Sequence, residues 1–123
     1  MNRHDRSFTG TPRVVRAAAL ADADLDPDPL DPAQVVSGAP EVRHLELASG
    51  TDLAVGVWQH GPGVSTDTEA DEVFVVLGGS ATIEVEGGPV LDVGPGDVVL
   101  MPGGARTVWT VHETLRKVYA VRP

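Results

Sequence analysis

A short apolar run held between two turns rich in glycine and proline most constrains what this chain can fold into. Pro95 sets the φ angle that a tight turn needs, Gly96 can adopt the positive φ of a type II turn, and Asp97 can hydrogen-bond its own backbone. The unbroken apolar run Val98–Met101 follows, and a Pro-Gly-Gly tripeptide at 102–104 stops it. We expect this run to form a strand of a compact β barrel, either buried on both faces or placed in a sandwich core.

From Val42 onward, the chain alternates between short β-prone runs and turns. The expected strands cover residues 42–47, 53–60, 72–77, 80–86, 90–93, 98–101, 106–112 and 115–121. The sequence predicts a polar loop at residues 65–71 and a turn at Gly78-Gly79. About eight or nine short strands at even spacing predict an all-β sandwich or barrel.

Residues 1–30 form a predicted N-terminal arm and linker, and residues 31–123 form the predicted barrel domain. The segment Arg13–Leu20 fits an edge strand or a short helical turn, and the β-branched Val14 and Val15 favour the strand. Residues 21–32 contain five aspartates and three prolines, a composition that opposes both helix and sheet. We expect them to be a solvated linker.

Composition excludes several classes of protein. With 123 residues, the chain fits one domain with one core. It contains no cysteine, which excludes disulfides, thiolate metal sites and a cysteine nucleophile. Its formal charge of −9 opposes binding to nucleic acid or to anionic lipid. No apolar stretch approaches the length of a membrane span or a signal peptide, so we expect a cytoplasmic protein.

Two spaced motifs resemble those of the cupins. Gly96, followed after five residues by the Pro-Gly-Gly at 102–104, matches the start of the second cupin motif, and Glu72, followed after six residues by Gly79, matches the end of the first. Further matches in order are Gly56-Val57-Trp58, Asp71-Glu72-Val73, Gly96-Asp97-Val98, Trp109-Thr110-Val111 and Arg116-Lys117-Val118-Tyr119. Over residues 31–122 the chain resembles the small cupins that include ureidoglycine aminohydrolase and the ethanolamine-utilisation cupins. The resemblance implies an all-β double-stranded β-helix, a cupin jelly-roll barrel, with an N-terminal arm.

The chain departs from the metal-binding cupins at three of four ligand positions. The resemblance implies His-x-His before Glu72 and another His after the second motif, but counting along the sequence places Thr66, Thr68 and Thr107 there. Threonine hydroxyls are poor ligands for transition metals. We therefore predict no metal and no other cofactor, although Asp67, Glu69 and Asp71 could supply oxygens to a hard cation.

Strand alternation predicts a pocket inside the barrel. Glu72 and Phe74 share one face, Thr107 and Trp109 share another, and Lys117 and Tyr119 share a third. If Glu72 points inward, as its motif position implies, these faces converge with Trp58 around a small-ligand site. Alternatively, Trp58 and Trp109 fill the core and Lys117 lies on the surface. The predicted ligand-binding residues are Trp58, Thr66, Thr68, Phe74, Thr107 and Trp109.

Two classes of function remain open. In the first, the protein binds a small polar metabolite without a tightly bound transition metal, or its barrel serves mainly for assembly. In the second, it is an enzyme. The resemblance implies hydrolytic or lyase chemistry on a nitrogen-containing metabolite, with Glu72 as general acid or base and Lys117 or Tyr119 polarising the substrate. We also expect a homodimer, in which Arg13–Leu20 packs across the partner or covers an edge strand.

Overall fold

The computed structural model describes Phe8 and residues 11–123, and its architecture is almost entirely β, as predicted. In chain order the elements are α1 (Ala17–Ala21), β1 (Asp26–Pro27), a 3-10 turn (Pro32–Gln34), β2 (Val35–Gly38), β3 (Val42–Ser49), β4 (Ala54–His60), β5 (Gly63–Thr68), β6 (Asp71–Val85), β7 (Val90–Val93), β8 (Val98–Met101) and β9 (Arg106–Arg122). Within this part of the chain, no helix is long and apolar enough to cross a membrane.

Two long strands, β6 and β9, build both layers of the barrel. They pair antiparallel along most of their length. The later half of β9 also pairs with β4, while its earlier half pairs with β5. One layer therefore runs β8-β6-β9-β4-β3-β1 and the other runs β7-β6-β9-β5-β2. The two layers face each other as the halves of a jelly roll, which confirms the predicted fold class.

Three sequence predictions about strand boundaries were wrong. Residues 65–71 are not a loop, because β5 covers most of them and pairs with both β2 and β9. Gly78-Gly79 is not a turn but an irregularity within β6, where Gly79 has a φ of 83° and a side chain would clash with the Thr114 carbonyl oxygen. The predicted strands at 106–112 and 115–121 are the single strand β9.

The main core lies between the two layers. Its fully buried side chains include Phe74, Val76 and Ile83 from β6 and Leu115 from β9. The run Val98–Met101 is buried on one face only: Val99 and Met101 enter the core, whereas Val98 and Leu100 are exposed. Of the two predicted alternatives, the strand in a sandwich core is the one observed, because nothing in the described part of the chain covers the outer face of β8.

The N-terminal segment packs on the outer face of its own sheet. Residues 17–21 form helix α1 rather than the favoured strand, and Leu20 and Leu25 are buried against Val57. The segment 21–32 is attached more firmly than a solvated linker, because β1 pairs with β3 and the Arg116 guanidinium donates to the carbonyl oxygens of Leu20 and Ala23, both at 2.9 Å. Arm residues before position 11 other than Phe8 lie outside the described residues.

We predict that Phe74→Ala lowers the free energy of unfolding by about 3–5 kcal/mol, because it leaves a cavity in the main core. Val90→Ala, at a side chain that is 62% exposed on β7, is the matched control and should change it by less than about 1 kcal/mol. Urea denaturation of both variants measures the difference. Equal losses in the two variants would contradict the core assignment.

Candidate functional site

A buried ammonium group lies at the centre of the barrel. Lys117 Nζ donates to Glu72 Oε2 at 2.6 Å, and the two side chains are only 7% and 14% exposed. The same nitrogen lies 4.2 Å from the ring centroid of Phe74, 4.5 Å from that of Trp58 and 4.9 Å from that of Trp109. An ammonium over aromatic faces gains electrostatic attraction that partly offsets its lost hydration. Lys117 is therefore held by one carboxylate and three rings.

Strand register explains why these side chains meet. Trp58 of β4 lies opposite Lys117 of β9, and Phe74 of β6 lies opposite Tyr119. Residues directly opposite each other in an antiparallel pair share one face of the sheet, and residues two apart on a strand share it too. Trp109 is on the same face of β9 as Lys117, eight positions earlier and in the other layer. The two layers thus enclose the ammonium from both sides.

A cavity of about 290 Å³ opens above this ion pair. Its walls come from the arm, from the 3-10 turn and from strands of both layers. The lining residues are Asp28, Leu30, Gln34, His44, Trp58, Ser65, Thr66, Asp67, Glu69, Glu72, Trp109, Lys117, Tyr119 and Val121. Apolar walls with a few polar groups converging on them are typical of a small-ligand site.

Tyr119 occupies one wall of the cavity, and its hydroxyl hydrogen-bonds with His44 Nε2. The Tyr119 ring has room only because position 56 is glycine, where a Cβ would lie 2.5 Å from the hydroxyl oxygen. Burial, together with the charges of Glu46 and Glu72, raises the pKa of Tyr119 to about 12. Tyr119 is therefore a neutral hydrogen-bonding group at physiological pH.

The sequence analysis did not single out His60, which is buried behind the cavity, or Ser65, which lies in the cavity wall. His60 is fully buried, with Nδ1 2.6 Å from the Gly61 carbonyl oxygen and Nε2 2.9 Å from Ser65 Oγ. Burial lowers the His60 pKa, and the charge of Lys117 lowers it further, against the backbone hydrogen bond that raises it. The neutral ring therefore donates a hydrogen bond from Nδ1 to the Gly61 carbonyl oxygen and accepts one at Nε2 from the Ser65 hydroxyl. This fixes Ser65 in the cavity wall.

The carboxyl group of Glu69 is a second feature that the predicted loop concealed. Its backbone N–H donates to the Ala105 carbonyl oxygen at 2.8 Å, and its carbonyl accepts from the Gly104 N–H at 2.7 Å. These bonds hold the residue where its side chain is buried and lines the cavity. The pKa of Glu69 is raised to about 7, mainly by burial and also by the charges of Asp67 and Glu72, against the charge of Lys117, which lowers it. Glu69 thus titrates near physiological pH.

Of the three threonines that were predicted to bind a ligand, Thr66 lines the cavity and the other two do not. Thr66 lies at the rim of the cavity, where Gln34 Nε2 donates to its carbonyl oxygen at 3.0 Å. Thr68 is exposed and does not line the cavity. Thr107 is buried and accepts a hydrogen bond from Trp109 Nε1 at 3.0 Å, so it orients the indole from outside the cavity.

The residues at the expected metal positions do not fit a transition metal. On β5, Ser65 lies opposite Trp109 and Asp67 lies opposite Thr107, so Ser65 and Asp67 share the inward face and Thr66 and Thr68 do not. Counting back from Glu72 along the sequence placed the two histidine positions of metal-binding cupins at Thr66 and Thr68. The strand register shifts them by one residue, to Ser65 and Asp67. Neither Ser65 nor Asp67, nor Thr107 at the third position, carries an imidazole, so three of the four positions still lack the ligand that a transition metal prefers. No group of three His, Asp or Glu suited to a metal exists among the described residues.

The two-layered barrel and its enclosed polar cavity define this protein as a small cupin. The sequence profile of the EutQ-like cupin domain matches residues 48–119, and the chain belongs to that family. No curated protein matches the sequence. The predicted likeness to ureidoglycine aminohydrolase stays a prediction.

Solved structures agree with this assignment. A protein of unknown function from Pseudomonas syringae, of the DUF861 family, is 32% identical with a TM-score of 0.71; the match covers 82% of this chain and 45% of that one. The chain therefore spans less than half of that relative. The EutQ protein of Clostridium difficile is 18% identical with a TM-score of 0.62, covering 76% of this chain and 79% of that one. At this identity, the similarity to the Clostridium difficile structure shows a shared fold and nothing further.

We predict that Lys117→Met lowers the free energy of unfolding by about 3–5 kcal/mol, because it leaves the Glu72 carboxylate buried without its partner. The double variant Lys117→Met/Glu72→Gln should recover much of that loss. Arg122→Met, which removes an exposed pair with Asp71, is the control and should change it by less than about 1 kcal/mol. A double variant no more stable than Lys117→Met would show that the pair is not coupled.

We predict that Glu69 makes stability depend on pH. Its folded-state pKa of about 7 exceeds the ordinary 4.5, so the stabilisation from its bound proton is complete below pH 4.5 and is lost as the pH rises through about 7. Melting temperatures from about pH 5 to about pH 8 should therefore fall less in Glu69→Gln than in the natural protein. Glu84→Gln, at an exposed position of β6, should leave the fall unchanged. Identical curves for all three would contradict a buried, protonated Glu69.

Proposed function

We propose that the barrel binds a small polar metabolite in the cavity above Lys117 and Glu72, without a tightly bound transition metal. The ion pair at the base of a preformed cavity is the observation that carries this proposal. Polar groups from both layers surround it, including the His44–Tyr119 pair and the Ser65 hydroxyl. Such groups orient a ligand, while Trp58 and Trp109 provide apolar contact.

Stability alone gives little reason for an ion pair at this position. Apolar side chains of similar volume are often as stabilising as a buried ion pair, because desolvation of the charges offsets their attraction. A barrel that served only for assembly would gain as much from an entirely apolar interior. The retained charges at the cavity floor therefore support ligand binding over a purely structural role.

An enzyme is the second candidate, and the environment of Glu69 favours it. A general acid or base works best when its pKa lies near the working pH, and the Glu69 pKa of about 7 meets that condition. The Glu72 carboxylate, predicted for that role from the sequence, already accepts from Lys117. In this candidate a hydrolase or lyase acting on a nitrogen-containing metabolite uses Glu69 for proton transfer, with Lys117 and Tyr119 as polarising groups.

We predict that Glu72→Gln weakens ligand retention at least about tenfold while the domain stays folded, because the amide keeps the shape and loses the charge. The measurement is native mass spectrometry of the full chain, followed by identification of the released small molecule. Glu84→Gln, exposed on the outside of the same strand, should retain the molecule fully. Equal retention by both variants would place the ligand elsewhere. Turnover of the released molecule, lost in Glu69→Gln, would favour the enzyme.

We also propose that the chain forms a homodimer through the outer face of β6 and β8. Val73, Val98 and Leu100 are exposed there by 37%, 62% and 77% and form a continuous apolar strip. The arm covers a different part of the sheet, over Val57. Leu100→Glu should convert the dimer to a monomer in light scattering, whereas Val90→Lys, exposed on β7, should not. A natural protein that is monomeric in the same measurement would contradict the proposal.

A further inference from the structure

The cavity wall carries more acidic than basic groups. Four carboxyl side chains line it, and one of them, Glu72, is paired with Lys117. No ion pair between described residues includes Asp28, Asp67 or Glu69. The other basic group on the wall, His44, is hydrogen-bonded to the Tyr119 hydroxyl. An anionic ligand would therefore meet the negative charge of Asp28 and Asp67, and the lysine among the described wall residues, Lys117, is already paired with Glu72.

Glu69 is the wall residue whose chemistry most clearly points to a missing positive charge. Its exposed fraction is only 7%, yet it lines the cavity beside Asp67. A buried carboxyl without an ion-pair partner keeps its proton; the charges of Asp67 and Glu72 and a hydrogen bond with Asp67 strengthen that preference, whereas the charge of Lys117 weakens it. A ligand bearing positive charge at this position would reverse the preference and make the carboxylate the stable form.

Aromatic walls favour the same class of ligand. Trp58 and Trp109 both line the cavity, and their rings already attract the Lys117 ammonium at 4.5 and 4.9 Å. Indole faces bind organic cations better than other side-chain rings do. The cavity thus combines carboxyl groups and aromatic faces, which together recognise ammonium and amidinium compounds.

We propose that the ligand is a small organic monocation, an ammonium or amidinium compound, which binds against Asp67 and Glu69 and displaces the Glu69 proton into solvent. This inference rests on the proposed function and adds the charge class of the ligand. The N–H groups of the ligand donate to the carboxylate oxygens, the displaced proton passes to the buffer, and no covalent bond is made or broken. Lys117 does not compete, because Glu72 holds it.

Binding should then depend on pH in a defined direction. The charged groups facing Glu69 are Asp67 from β5, Glu72 from β6 and Lys117 from β9. Asp28 from the arm and the titratable side chain of His44 from β3 also line the cavity. Since the Glu69 pKa is about 7, the affinity for a cation should rise about tenfold from about pH 6 to about pH 8 as its carboxylate forms.

The test is calorimetric titration of the full chain with benzamidine, benzylamine, benzoate and benzyl alcohol. We expect the two cations to bind at least about tenfold more tightly than the other probes. Titration near pH 7 in two buffers of different ionisation enthalpy should reveal proton release, which Glu69→Gln abolishes and Glu84→Gln preserves. Chemical-shift changes of the Trp58 and Trp109 indole N–H groups locate each probe in the cavity.

The outcomes separate this inference from the proposed function. Benzoate or benzyl alcohol binding as tightly as benzamidine, with shifts of both indole signals, would overturn the cation and keep a metabolite-binding cavity. Cation binding by the natural protein without proton release would overturn the role of Glu69, whether or not the Glu69→Gln variant folds. Failure of both cations to bind with a Kd below about 10 mM would overturn the cation, whereas the molecule retained in native mass spectrometry tests the metabolite-binding proposal independently.

Discussion

The structure of the site depends on the pairing of β6 with β9, because these two strands run through both layers of the barrel. A single strand, β9, carries Trp109 in one layer and Lys117 in the other, on the same inward face. Its partner β6 brings Glu72 and Phe74 to the ammonium. The irregularity at Gly78-Gly79 lets β6 cross between the layers while its inward face changes from even to odd positions.

The internal cation replaces what the resemblance to metal-binding cupins would have supplied. An ammonium at the barrel centre provides one fixed positive charge and hydrogen-bond donors, but it has no open coordination position. Proton transfer and hydrogen bonding are what the described side chains of this cavity can themselves supply. Burial disfavours the charged form of each group, so it lowers the pKa of His60 and raises the pKa values of Tyr119 and Glu69.

The N-terminal segment has two physical roles in the described structure. Leu20 and Leu25 cover apolar residues on the outer face of the sheet, where they would otherwise meet water. Farther along, Asp28, Leu30 and Gln34 complete one wall of the cavity. A segment rich in aspartate and proline was expected to be solvated, and its attachment arises from contacts with Arg43, Arg116 and β3 that are distant in sequence.

The sequence by itself determined the all-β class, the cupin family and which residues share a strand face, including Glu72 with Phe74 and Lys117 with Tyr119. The β class and the shared faces follow from local rules, because alternation has a period of two and glycine and proline mark turns, whereas the family came from the resemblance of the motifs. Only the tertiary structure decided which face of β5 looks inward, because that depends on its register with β9. It alone buried His60 and Glu69 and so set their protonation, since desolvation is produced by strands and turns far along the chain.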